Sequence, residues 1–264
     1  MTAIAEDIFN GAMQALEAGF RVLHIATFDL RICAASDDTE QTLNNPELAD
    51  FDHIPVQQDS KIVGVLDRQR VAGTGPVERN MRQIDPSCLV SAQAPLRSFI
   101  PYVAQSHYWL VVGVAGIKGI VTRSDLLKLP VRLHAFTMVT HLETVMAGVI
   151  RTLRVSDDWL AILSDHRRRK IKEKRLRLQA KRLDPPLLEL TDFCDKRVAV
   201  ATLLNLGRDF TEPLQGIEEL RNSVAHAATF LNDDASVQIF VERMLAAESW
   251  IDRLPHLAHE QRFE

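Results

Sequence analysis

The sequence predicts an α+β protein in two parts: an N-terminal α/β part of short strands and helices, then an all-helical bundle. Three observations predict it. Before residue 130, Val- and Ile-rich runs of five to seven residues come in pairs divided by turn residues. After Pro130 the strand signals stop, and long amphipathic patterns with few glycines replace them. Charge is also segregated: ten basic residues and one acid give +9 between 167 and 183, in a chain of net charge −4. The expected division is 1–130, 136–254 and a tail, 255–264.

Composition bounds the classes available. The chain has 264 residues, 46% hydrophobic and 25% charged, which suits about two globular domains. Cys33, Cys88 and Cys194 are too few and too scattered for a disulfide framework or a thiolate metal site. The first twenty residues carry acids early and lack the basic start and apolar run of a signal peptide. No apolar run approaches the ~20 residues that a membrane helix needs. The expectation is a soluble cytoplasmic protein without metal.

The first strand pair is "HIPVQ" (53–57) and "KIVGVLD" (61–67), the second "YWLVVGV" (108–114) and "IKGIVTR" (117–123). Turn-like "QDS" and "AG" divide each pair, as in hairpins. Between the pairs, "SAQAPLRSFIPYVAQS" places Leu96, Phe99, Ile100 and Val103 at helical spacing, with Pro101 tolerable near a helix start. The two pairs align as an internal repeat. The second copy ends Gly119-Ile120-Val121-Thr122-Arg123-Ser124-Asp125.

That ending has a chemistry of its own. A strand stopping at Thr122 presents a hydroxyl. Ser124 or Asp125 can cap the helix that follows. A carboxylate is a good acceptor for two vicinal ribose hydroxyls, and helix N-terminal amides beside Arg123 favour phosphate. Helix capping alone is the other reading. Tyr108 and Trp109 could flank a base, or belong to the core. In the first copy, Gly64-Val65-Leu66-Asp67-Arg68-Gln69-Arg70, Asp67 replaces the hydroxyl and Arg70 replaces the carboxylate. One nucleotide per chain is therefore expected.

On these residues the stretch 1–130 resembles a tandem pair of CBS domains, each a β-α-β-β-α unit. The resemblance implies that Thr122 and Asp125 contact the ribose of an adenine nucleotide such as AMP or ATP, with Gly119 and Arg123 in the same motif.

The helical part opens with "FTMVTHLETVMAGVIRTL" (136–153), whose apolar residues recur at helical spacing. The basic run follows: Arg167, Arg168, Arg169, Lys170, Lys172, Lys174, Arg175 and Arg177, then Lys181 and Arg182. Cations gathered this densely gain from counterion release at a polyanion, so the run is a candidate RNA surface. A solvated helix face is the bland reading. Asp184-Pro185-Pro186 ends the run. A helix over 187–207 closes at Gly207, "RDFTEP" links it to the next, and a last helix follows Asp233 and Asp234. Four or five helices with short links imply a bundle.

"ELRNSVAHAATFL" (219–231) puts Asn222 and His226 four apart on one helix face, with Arg221 able to swing to the same side. A core or exposed histidine is one reading. The Arg-Asn-x-x-x-His pattern, in a helix after the basic and "DFCDK" helices, resembles the HEPN superfamily over 136–254. That resemblance implies metal-independent RNA cleavage by a homodimer, with Arg221 stabilising phosphate charge, His226 moving the proton and Asn222 orienting one of them. Such chemistry needs only a titrating imidazole and a guanidinium, because RNA supplies its own 2′-hydroxyl nucleophile. The expected function is an adenine-nucleotide-sensing, RNA-binding protein that cleaves RNA. The alternative is a regulatory or dimerisation module that binds without cleaving.

Overall fold

The computed structural model describes residues 11, 19–154, 156–225 and 231–263. The fold is α+β, in two compact units: one within Ala18–Val131, the other resuming at Arg132.

The first unit holds two small sheets. In one, β1 (Cys33–Ala34) pairs in parallel with β2 (His53–Gln58), which forms a hairpin with β3 (Lys61–Asp67), and β4 (Arg82–Gln83) closes the far edge. In the other, β5 (Leu89–Ser91) runs parallel to β6 (Tyr108–Gly113), which forms a hairpin with β7 (Gly116–Thr122). A short helix links the parallel strands in each copy: α1 (Thr39–Asn44) capped by Asp38, and α3 (Leu96–Phe99) after Pro95. A single turn, α2 (Val77–Asn80), precedes β4. Pro101 keeps α3 short. The chain tightens into a 3-10 stretch over Ile100–Gln105, since proline supplies no N–H for the next α-helical bond.

The repeat is exact in register. His53 faces Asp67 and Tyr108 faces Thr122, and both hairpins shift register at equivalent points, Val56/Gln57 and Val111/Val112. The motif glycines serve one purpose in both copies. A Cβ on Gly64 would lie 2.6 Å from the Arg82 carbonyl, and one on Gly119 2.9 Å from the Thr27 carbonyl. Each glycine thus admits a third strand segment: β4 against β3, and Thr27 bridged to Ile120 against β7. Val65, Cys88, Tyr108, Leu110 and Ile120 form a core cluster shared by the two copies.

The second unit is helical among its described residues: α4 (Leu129–Leu153), α5 (Asp165–Gln179), α6 (Phe193–Leu203), α7 (Arg208–Ala225) and α8 (Asp234–Phe263). α4 starts inside the first unit and begins seven residues before the expected 136; Pro130 fits because a first-turn residue has no intrahelical partner for its N–H. α4 is also long and apolar enough by composition to cross a membrane, which the sequence reading overlooked. It carries Arg132, Glu143 and Arg151, and most of its apolar stretch is buried in the fold.

Three further expectations change: the helix expected over 187–207 is a 3-10 turn, Leu187–Leu190, followed by α6 from its cap at Asp192. "RDFTEP" is the start of α7 and not a link, because Phe210 is fully buried edge-on against Trp250 at 4.8 Å. Residues 255–263 continue α8 through Pro255, where a tail was expected; Leu254 just before the proline and Ala258 after it are buried.

Candidate nucleotide site and basic helix

The end of β7 places Thr122, Arg123, Ser124 and Asp125 together, as the motif required. The turn after it is a 3-10 stretch, Arg123–Leu127, and not the regular helix expected. A single tight turn sums few peptide dipoles, so the expected amide site for phosphate is weak.

Asp125 is 5% exposed and holds four partners. One carboxylate oxygen accepts from the Thr122 N–H at 2.7 Å and the Thr122 hydroxyl at 3.1 Å. The other accepts from the Thr27 hydroxyl at 3.2 Å and meets the Lys128 ammonium at 2.6 Å. Lys128 Nζ also donates to the Ile25 carbonyl at 2.6 Å and contacts the Thr27 hydroxyl at 3.3 Å. The Thr122 hydroxyl lies 2.9 Å from that of Ser124. Thr27 and Lys128 are the site residues that sequence reasoning missed. Thr27 stands almost a hundred residues away, so only the bridge to Ile120 reveals it.

Arg123 points elsewhere, its Nη2 donating to Nδ1 of His107 at 3.3 Å. The His107 ring stacks with His53 at 6.3 Å, and His53 leans on Tyr108 at 5.0 Å. Tyr108 and Trp109 are buried at 4% and 6%, Trp109 edge-on to Phe99, so they are core and not the flanks of a base. In the first copy, Arg70 Nε sits 3.6 Å from the Asp67 carboxylate. The equivalent strand end therefore closes on itself with the charges reversed.

Burial holds the His53 imidazole below its ordinary pKa, against the opposing pull of Asp67 and Asp52; His107 and Arg123 add to the lowering. Between the folded and unfolded values the unfolded chain binds more protons. The stability His53 contributes is therefore complete above the unfolded value of about 6.5 and is lost as pH falls toward the folded value. Urea unfolding should show the first unit weakening below about pH 6.5, and His53→Gln should remove part of that slope.

In the helical unit the basic run divides into two faces. Arg167 grips Asp195 with Nε at 2.8 Å and Nη2 at 2.5 Å, and its Nη2 reaches Asp192 at 2.6 Å. Asp195 is 3% exposed and also accepts from the Asp192 N–H at 3.0 Å. Burial pushes its carboxyl pKa up, but Arg167 and that N–H outweigh the push and hold it below the usual value. Arg168 bonds the Leu163 and Ala161 carbonyls and pairs with Asp165. Lys174 donates to the Leu190 carbonyl at 3.3 Å, and Arg175 pairs with Asp184 at 2.9 Å. These four hold α5 to the 3-10 turn at Leu187–Leu190, to α6 and to their links. Arg169, Lys170, Lys172 and Arg177 are exposed on the other face.

Arg221 lies 3.7 Å from Glu143 of α4, and that carboxylate also takes the Lys196 ammonium at 2.9 Å. Asn222 is exposed. His226 lies outside the described residues. Among the described residues no cluster of three or more His, Cys, Asp or Glu stands close enough to hold a metal ion.

The class of solved protein that this chain is similar to over part of its length is the CBS-domain protein. A CBS-domain protein of Thermoplasma acidophilum matches at 20% identity over 40% of this chain and 67% of its own, TM-score 0.35. CBSX2 in complex with AMP matches at 18% over 44% of this chain and 98% of its own, TM-score 0.37. The CBS domain of a bacterial CNNM/CorC family Mg2+ transporter matches at 17% over 48% and 93%, TM-score 0.38. No protein-family model matches the chain, and no curated protein matches it by sequence.

Proposed function

We propose that the chain is a regulatory protein whose first unit, built as a CBS pair, binds one adenine nucleotide at the end of β7. The observation that carries this reading is the asymmetry of two strand ends in equivalent register. Thr122 and Asp125 keep a hydroxyl and a carboxylate three residues apart; Asp67 and Arg70 have become an ion pair. A carboxylate can accept from both hydroxyls of a ribose, which Arg70 cannot do. Calorimetric titration with AMP, ADP and ATP tests it, with one site per chain expected.

A second reading concerns RNA, and the exposed face of α5 favours it. Arg169, Lys170, Lys172 and Arg177 point outward with only Glu173 among them, a geometry suited to a polyphosphate backbone. Replacing these four by alanine should flatten the slope of log affinity against log salt by about 0.7 for each lost contact to single-stranded RNA. An unchanged slope would make this a solvated face. Arg167 and Arg168 are unsuitable for that test, because both are used inside the bundle.

Cleavage by Arg221, Asn222 and His226 is the finer reading of the same unit. Its support is the motif alone, since the carboxylate that pairs with Arg221 competes for the guanidinium that a phosphate would need. Cleavage of RNA in EDTA that leaves 2′,3′-cyclic ends and is lost in His226→Ala would establish it. Binding without cleavage would leave the module regulatory.

A further inference from the structure

We propose that Lys128 is an internal competitor for the nucleotide site, its ammonium holding the acceptor positions on Asp125 that a ribose would use. The inference rests on the nucleotide reading and adds its regulation. An ionised carboxylate offers about four acceptor positions, and Asp125 has four partners. Two of them, from Thr122, are local to the turn and set its shape. The other two, from Thr27 and Lys128, come from outside the motif. They lie together on one carboxylate oxygen, with the ammonium 3.3 Å from the hydroxyl. A vicinal diol presents two donors a similar distance apart. It can bind Asp125 only by taking the places of these two.

The ammonium is seated for this role. It has a carboxylate and a carbonyl at 2.6 Å each, while its side chain is 41% exposed and therefore has a path outward to water. Opening the site requires rotation of the Lys128 side chain and of the Thr27 hydroxyl. Lys128 is also the residue before α4, whose length from Arg132 onward belongs to the helical unit. A ligand that displaces the ammonium therefore releases Lys128 from Ile25 and Thr27.

The competition predicts an unusual gain. A variant without the ammonium should bind a nucleoside better than the wild type does. Adenosine is the probe, because it lacks the phosphate that a free lysine would attract. Lys128→Met should raise adenosine affinity by roughly tenfold or more, as the closed fraction of the site is abolished. Lys128→Gln, which keeps one neutral donor, should give a smaller rise and covers the case in which the Met variant does not fold. Equal or weaker adenosine binding by the folded variants would overturn the proposal. If Asp125→Asn meanwhile abolishes AMP binding, the nucleotide reading survives that result. If neither wild type nor any Lys128 variant binds adenosine or AMP, the nucleotide reading fails, and the competitor with it.

Discussion

Asp125→Ala is expected to remove nucleotide binding and to destabilise the first unit by about 3 kcal/mol, because it removes a buried acceptor shared by four donors and leaves two of them with none. The Thr122 N–H and the Thr27 hydroxyl lose their acceptor outright, while the Thr122 hydroxyl keeps Ser124 and the Lys128 ammonium keeps the Ile25 carbonyl. The ammonium can turn to water, so its share of the cost is small. The Thr122 N–H in the turn and the Thr27 hydroxyl on the segment bridged against β7 carry most of the loss. Asp125→Asn keeps the shape and one acceptor oxygen. It should lose nucleotide with a milder loss of stability. Hydrogen exchange on the full chain checks the location: amides of β6 and β7 should lose protection in Asp125→Ala, while those of α6 and α7 keep theirs.

Asp195→Ala should have the largest effect on the helical unit, about 1.5–3 kcal/mol, the worth of hydrogen bonds to a charged group. Arg167 would be left with only the exposed Asp192 carboxylate, and the N-terminal turn of α6 would lose the acceptor for the Asp192 N–H. The pair ties α5 to α6. The basic helix should therefore lose protection from exchange together with α6. Arg167→Ala should behave alike: under the RNA reading proposed above, its effect on affinity comes through unfolding and not through one lost phosphate contact. If Arg167→Ala keeps the melting temperature and lowers only the salt slope, the division of α5 into a structural and an exposed face is wrong.

The parts legible in the sequence were those governed by local rules. Alternation and turn residues set both hairpins, and Gly64 and Gly119 marked the repeat because each sits at the same register point. The helical unit was readable from apolar spacing. What escaped was the partner of each charge. Asp125 reads as a free acceptor until Thr27 and Lys128 are placed beside it. Arg167 reads as one of ten cations until Asp195, 28 residues on, is placed beneath it. Charge counting sees the residue and not its neighbour. Helix bounds at 208–213 and beyond 254 also escaped. Pro213 and Pro255 lie inside helices because Phe210, Leu254 and Ala258 are buried there, and that packing outweighs one missing backbone bond at each proline.

Calorimetric titration of the full chain with AMP, run on the wild type, Asp125→Asn and Arg70→Ala, addresses the central claim most directly. One site per chain is predicted for the wild type and for Arg70→Ala, and none for Asp125→Asn with its fold intact by circular dichroism. Loss of binding in Arg70→Ala with normal binding in Asp125→Asn would contradict the account, since the first strand end and not the second would then hold the ligand.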